Sequence, residues 1–284
     1  MKEVSVIIPV KNDVKNIRTA INSVFRQTKK PSEVIIVDGA SKDGTVESIK
    51  DLPIKIIVEP RPGGSLARNV GIKRSKGKSL LFTDSDCDAS PHWIKEHLKA
   101  LKKYDAVMGK VVIHPEVRDS LVAKSLEYGL LPYFDFPFFD KDNETLPFWN
   151  LYTSNLSLNR KILKDIGMMD EDFKMVGSED IEFGYRICEK YKIGYAPKAV
   201  IYHKHKTTFR AALYRAIIEG RQSRFLGFKT GQKNRRAIPF SRFRKLFLFK
   251  NLSILDKFGI LILSAVYFAA FLYGYATFKK LYDF

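Results

Sequence analysis

The chain has 284 residues, 45% of them hydrophobic, which is enough for one large domain with a substantial core plus an appendage. Only two cysteines are present, Cys87 and Cys188, and no apolar secretory run opens the sequence, so a disulfide-built scaffold is excluded and a reducing compartment is expected. The formal charge of +18 admits nucleic acid, anionic lipid or an anionic substrate as partners until its distribution is examined.

Strand-like and helix-like runs alternate over the first 110 residues. Val4–Val10 is a continuous apolar run, as in a parallel strand buried on both faces. Val14, Ile17, Ile21, Val24 and Phe25 follow at helical spacing, with Asp13 as a candidate cap. Val34–Val37, Ile54–Val58 and Leu80–Thr83 read as the next three strands. Between the last two, Gly63-Gly64-Ser65 opens a helix through Arg68 and Ile72 that ends near Gly77. Such alternation predicts an α/β fold with a mostly parallel sheet covered by helices on both faces. Ligands in such sheets bind at the carboxyl ends of strands, where Asp13, Asp38, Glu59, the Gly-Gly turn and Asp84/Asp86 all fall. Neither a G-x-G-x-x-G fingerprint nor a G-x-x-x-x-G-K-[ST] loop is present, which counts against NAD enzymes and P-loop NTPases.

Leu80-Leu81-Phe82-Thr83-Asp84-Ser85-Asp86 is an apolar run that ends in two carboxylates. Strand alternation would send Asp84 and Asp86 to one side, onto one hard divalent cation able to grip a diphosphate; a polar turn closing the strand is the plainer alternative. Cys87 beside them reads as packing. Leu130–Trp149 is aromatic and proline-rich without a period, which suits a loop lining a pocket or touching a membrane, or a locally packed segment. Leu151–Leu158 reads as a strand, and Glu179–Lys190 as a helix opening on two acids.

The positive charge sits late. Residues 203–250 carry 14 Lys/Arg against one acid, Glu219, and Phe258–Phe278 then runs for 21 residues without a charge. That length predicts a membrane-spanning helix, with a buried helix of a soluble domain as the alternative. The basic block before it, against Lys279 and Lys280 after it, predicts a single pass with the large domain cytoplasmic. Phe240–Phe249 mixes Phe/Leu with Arg/Lys, as a helix in the headgroup layer would. The partner expected for this charge is therefore anionic lipid, not nucleic acid. The expected division is a catalytic domain over 1–210, a basic membrane-proximal region over 211–257, the spanning helix over 258–278 and a short tail over 279–284.

Four segments, in order, carry a resemblance: Val4-Ser5-Val6-Ile7-Ile8-Pro9-Val10-Lys11-Asn12-Asp13, Val37-Asp38-Gly39-Ala40-Ser41-Lys42-Asp43-Gly44-Thr45, Ala67-Arg68-Asn69-Val70-Gly71 and Phe82-Thr83-Asp84-Ser85-Asp86. They resemble the successive signatures of family 2 glycosyltransferases of GT-A fold. The likeness continues through Pro91-His92-Trp93-Ile94, Asn155–Arg160 and Glu179-Asp180-Ile181-Glu182 to His203, covering roughly residues 3–210.

The resemblance implies inverting transfer of a sugar from a nucleotide-diphosphate sugar, assisted by Mg²⁺ or Mn²⁺. By position it implies that Pro9, Val10 and Asp13 border the nucleotide, that Asp38 bonds the base, and that Arg68 lies near base or phosphates. Asp84 and Asp86 would hold ribose and metal, with Ser85 between them among the donor-binding residues and Asp86 the stronger ligand. His203, rather than His205, would complete the metal site, or else be a satisfied strand-end histidine. Asp180, with Glu179 beside it, is the expected general base, which favours a hydroxyl acceptor over a lipid phosphate that would need no base. A second acid often follows Asp38 in this pattern, and Gly39 stands there; Arg221-Gln222-Ser223-Arg224-Phe225 does not match the Q-x-x-R-W element of processive synthases. The expectation is thus a membrane-anchored transferase adding one sugar to a glycan or lipid-linked acceptor. Rivals are a polyprenyl-phosphate sugar synthase of the same fold, a sugar nucleotidyltransferase and a non-enzymatic membrane adapter; oligomeric state, donor and acceptor stay open.

Overall fold

The structure is a computed structural model that describes residues 3–127, 145–146, 151–175, 177–231, 246 and 252–278. Most of the aromatic Leu130–Trp149 segment, nearly all of Phe240–Phe249 and the 279–284 tail lie outside the described residues. The chain divides into two compact units. The first comprises Met1–Val112, Phe139–Met175 and Glu179–His203, and the second comprises Ile113–Phe138, Val176–Ser178 and Lys204–Phe284.

The first unit is built on the predicted strands β1 (Val4–Val10), β2 (Glu33–Asp38), β3 (Lys55–Val58) and β4 (Ser79–Phe82). They are parallel and ordered β3-β2-β1-β4. Val4, Ser5, Val6, Ile7 and Ile8 of β1 are all buried, which explains the largely apolar run of the central strand. Pro9 is tolerated there because β1 pairs β4 only from Val4 to Ile7, so its missing N–H removes no bond on that side.

The sheet is mixed beyond β4. The later strands are β5 (Cys87–Ala89), β6 (Ala106–Ile113), β7 (Thr145–Leu146), β8 (Leu156–Asn159) and β9 (Ile193–His203). Among the described residues the nine strands run β3-β2-β1-β4-β8-β6-β9-β5, with β7 also on β9. The pairings β4–β8, β6–β8 and β5–β9 are antiparallel.

The helices of this unit include α1 (Ile17–Phe25), α2 (Gly64–Arg74) and α3 (Trp93–Ala100). Two predicted boundaries move. α1 starts at Ile17 after Asn16, with no side-chain cap bond; the Asp13 carbonyl accepts the Asn16 and Ile17 N–H groups, and the Asp13 carboxylate accepts from the Asn16 amide at 2.7 Å. α2 stops at Arg74, where Ser75 turns extended and its hydroxyl donates back to the Ile72 carbonyl.

The expected strand Leu151–Leu158 is a strand only from Leu156, preceded by a tight helical turn over Thr153–Asn155. The reason is the Asn155 amide, which is fully buried. It accepts from Trp93 Nε1 at 2.7 Å and His97 Nε2 at 2.8 Å, and donates to the carbonyls of Lys110 and Ala199 at 2.8 and 2.9 Å. That side chain ties α3, β6 and β9 together in place of a ladder.

The second unit contains α4 (Leu121–Glu127), α7 (Phe209–Thr230) and α8 (Ile254–Ala276); numbers α5 and α6 belong to Leu163–Ile166 and Glu179–Lys190 of the first. Thr208 and Ser253 cap α7 and α8 through their hydroxyls, and Gly231 ends α7 in the left-handed conformation. α8 is the one helix among the described residues long and apolar enough to cross a membrane. It packs on α7 with backbones close together: a Cβ on Gly274 would come within 2.1 Å of the Ile217 carbonyl, and one on Gly220 within 2.0 Å of that of Phe271. The contact is sealed by a buried hydrogen bond, Tyr267 Oη donating to Glu219 Oε2 at 2.7 Å, while Arg215 pairs with the other oxygen of the same carboxylate.

Candidate active site

Three loops at the carboxyl ends of the parallel strands are stitched into one rim. After β2, the Asp38 carboxylate is buried and accepts both the N–H and the hydroxyl of Ser41. Ser41 in turn accepts the Asn12 N–H at 2.8 Å, and Asn12 Oδ1 accepts the Lys42 N–H at 2.9 Å. The Asp13 N–H donates to Thr45 Oγ1 at 2.9 Å. Asp38 thus sets the loop that carries Asn12 and Asp13, and the Gly39 N–H closes it on the Val10 carbonyl at 2.8 Å.

Asp84, Ser85 and Asp86 sit on the turn between β4, which ends at Phe82, and β5, not on a strand as alternation predicted. The turn sends each side chain to a different element. Asp84 Oδ1 accepts from Arg68 Nη2 of α2 at 2.7 Å. Ser85 Oγ donates to Asp13 Oδ2 beyond β1 at 2.7 Å. Asp86 Oδ1 lies 3.0 Å from His203 Nε2 at the end of β9. The two carboxylates are therefore parted, one toward a guanidinium and one toward an imidazole, rather than drawn to a single point.

His203 reaches Asp86 because β5 and β9 pair antiparallel with Cys87 opposite His203. Asp86, Cys87 and His203 each offer a ligand atom within 4.8 Å of the others. Burial disfavours the His203 imidazolium, but the charge and hydrogen bond of Asp86 and the charge of Asp84 outweigh it and raise its pKa. Burial, reinforced by Asp86 and then Asp84, pushes the Cys87 thiol well up, so it is a protonated packing group at neutral pH. A carboxylate beside an imidazole, Asp86 with His203, is a donor pair that fits a divalent metal ion. Cys87, read from the sequence as packing beside the acidic pair, is the third member of this group. His205 belongs to the second unit.

α2 and α6 bring the remaining residues in. Gly63 has φ of 134°, a conformation closed to side chains, and lets the chain turn sharply into α2. A Cβ on Gly64 would lie 2.9 Å from Arg68 Nη1 and 4.0 Å from Glu179 Oε1. The first turn of α6, with Glu179 and Asp180 both buried, thus faces the N-terminus of α2 and, through Arg68, Asp84. Asp180 Oδ1 accepts its neighbour's Ile181 N–H at 2.9 Å.

A sheet parallel in its first half, with strand-end loops that gather carboxylates, an arginine and a histidine, has the architecture of the GT-A-like fold. The chain belongs to glycosyl transferase family 2, whose sequence profile matches residues 5–167, more than half of its 284. Glycosyltransferase AglE of Haloferax volcanii is 39% identical over 106 residues, covering 34% of this chain and 35% of that protein. Validoxylamine A glucosyltransferase of Streptomyces hygroscopicus subsp. limoneus is 29% identical over 215 residues, covering 64% of this chain and 47% of that protein. The alignments thus span less than half of either relative. S. aureus TarS 1-349 in complex with UDP-GlcNAc matches with a TM-score of 0.57 at 19% identity, over 99% of this chain and 91% of that one, a likeness of fold.

Proposed function

We propose that the chain transfers one sugar, with inversion, from a nucleoside-diphosphate sugar to a hydroxyl of a glycan or lipid-linked acceptor at a membrane. The observation that carries this reading is the meeting of α6's first turn, α2's N-terminus and the β4–β5 turn around Arg68 and Asp84. UDP-GlcNAc in the TarS complex supports the donor class.

On this reading Pro9, Val10, Asp13, Asp38 and Ser85 form the nucleotide side of the rim. Asp86 and His203 would hold a divalent ion, which would supply positive charge against the departing diphosphate, while Asp84 stays paired with Arg68 on the donor side. Arg68, buried and cationic, and the N–H groups opening α2 add positive potential on the same side. The acceptor hydroxyl gives its proton to the Asp180 carboxylate as its oxygen bonds to the anomeric carbon. The bond to the diphosphate oxygen breaks in the same displacement, so the configuration inverts. Glu179, next to α2, keeps the first turn of α6 in register with the donor side. α8 and the basic segment tie the enzyme to a membrane whose anionic lipids face the catalytic unit, expected to be the cytoplasmic leaflet.

Asp180→Asn is expected to lower turnover about 10²–10⁴-fold with donor binding unchanged, because the base is lost and the shape is kept. A screen of nucleotide sugars for slow hydrolysis with Mn²⁺ or Mg²⁺ identifies the donor, and the variant is then assayed with sugar and lipid acceptors. Transfer that survives in Asp180→Asn refutes the role of the base.

A further inference from the structure

Among the described residues, α8 presents an apolar face that is exposed. Ile260, Leu263, Ser264, Tyr267 and Gly274 form the face buried against neighbours. On the opposite face Leu255, Phe258, Ile262, Val266, Leu272 and Tyr273 are exposed, with Leu255 at 84% and Ile262 at 66%. The stripe runs the length of a helix of 23 residues, and no charge interrupts it after Lys257. It continues sideways into a cavity of about 300 Å³ lined by Leu121, Val122, Phe209, Ile262 and Leu263.

The company α8 keeps decides what covers that face. Contacts between α7 and α8 advance in step: Phe209 beside Ile262, Glu219 on Tyr267, Gly220 against Phe271, Arg224 on the Tyr275 carbonyl and Phe225 by Phe278. The helices therefore lie side by side, and Arg210, Arg215, Arg221 and Arg224 of α7 stand at the same levels as the charge-free stretch of α8. Were α8 to cross a bilayer, those guanidiniums would be carried into hydrocarbon. Laid flat, α8 sinks its outer face among acyl chains, while α7 supplies the polar side that α8 lacks. The 14 basic residues between 203 and 250 complement an anionic headgroup layer.

We infer that α7 and α8 form a two-helix membrane seat in which α8 lies along the surface of an anionic bilayer instead of spanning it. The seat takes the place of the single-pass anchor that the length of α8 alone predicted, and it is independent of the donor and acceptor chemistry proposed above.

The test uses the full chain with sealed vesicles of phosphatidylcholine, with and without phosphatidylglycerol. Flotation is expected to require the anionic lipid and to weaken about tenfold for each of Leu255→Glu and Ile262→Glu. Both sites are exposed, and an unchanged circular-dichroism melt verifies that the variants fold. Single cysteines placed at Ser253 and Thr277 in a Cys188→Ser background, in protein synthesised on closed vesicles, are then exposed to a membrane-impermeant maleimide. Labelling of both ends from outside is the expected result. Labelling of only one end means that α8 crosses the bilayer and overturns the proposal. So does flotation unmoved by the two glutamates, including the case in which they instead dissociate a dimer, which would make a second copy the occupant.

Discussion

His97 makes the folded state acid-sensitive. Its ring is fully buried, with Nε2 at 2.8 Å from Asn155 Oδ1 and Nδ1 at 2.8 Å from Ser157 Oγ. Because Asn155 Oδ1 can only accept, Nε2 carries the hydrogen and the Ser157 hydroxyl donates to Nδ1. Burial lowers the pKa from 6.5 to about 4, outweighing the Asn155 bond, which favours the proton. The unfolded chain binds this proton below its ordinary pKa while the folded chain does so only below the lowered one. The stabilisation is therefore complete above pH 6.5 and lost as pH falls toward 4. The whole shift is worth about 3 kcal/mol, of which about 2 kcal/mol is gone by pH 5. Urea unfolding of the parent and of His97→Gln at pH 7, 6 and 5 measures it. The variant, which keeps a donor toward Asn155 but cannot titrate, is expected to start lower and to lose about 2 kcal/mol less over that range. Parallel pH slopes for the two proteins would refute the assignment.

Three further outcomes follow from the geometry. Asp86→Asn and His203→Ala are each expected to weaken Mn²⁺ binding at least about tenfold by calorimetry, and if neither does, the metal lies elsewhere. Asn155→Ala leaves Trp93 Nε1, His97 and two strand carbonyls without their partner, and is expected to cost about 2–4 kcal/mol in chemical denaturation. Gly274→Ala puts a methyl within 2.1 Å of a backbone oxygen of α7, so the helices must part. A loss of about 1–3 kcal/mol is expected on the calorimetric melt, and an unchanged melt would mean that α7 and α8 are not in that contact.

The parallel half of the sheet was legible because β1, β2 and β4 are buried and so read as apolar runs, while the more exposed edge strand β3 still shows its Ile56-Ile57-Val58 run; β1 begins and ends where the sequence predicts. α6 was read over the same residues, Glu179 to Lys190, opening on its two acids. Of the antiparallel half only β8 was read, as the end of the Leu151–Leu158 run. β5 and β7 are three and two residues long, too short to show a period, and the pairing of β5 with β9 joins residues as distant as Cys87 and His203. The turn over Thr153–Asn155 was hidden because the burial of Asn155 depends on α3, β6 and β9 arriving around it. At the site, residue types and order pointed to the rim. What order could not reveal was the separate direction of each side chain on the β4–β5 turn, nor the proximity of Glu179 to Gly64, which are tertiary facts.

Because Asp84, Ser85 and Asp86 are moored respectively to α2, the β1 loop and β9, the turn behaves as a keystone. A ligand that pulls on any of the three tugs on pieces of chain that are remote from one another in sequence. Donor capture should thus register as slowed amide exchange at all three moorings together, making recognition a collective tightening of the fold instead of a local adjustment.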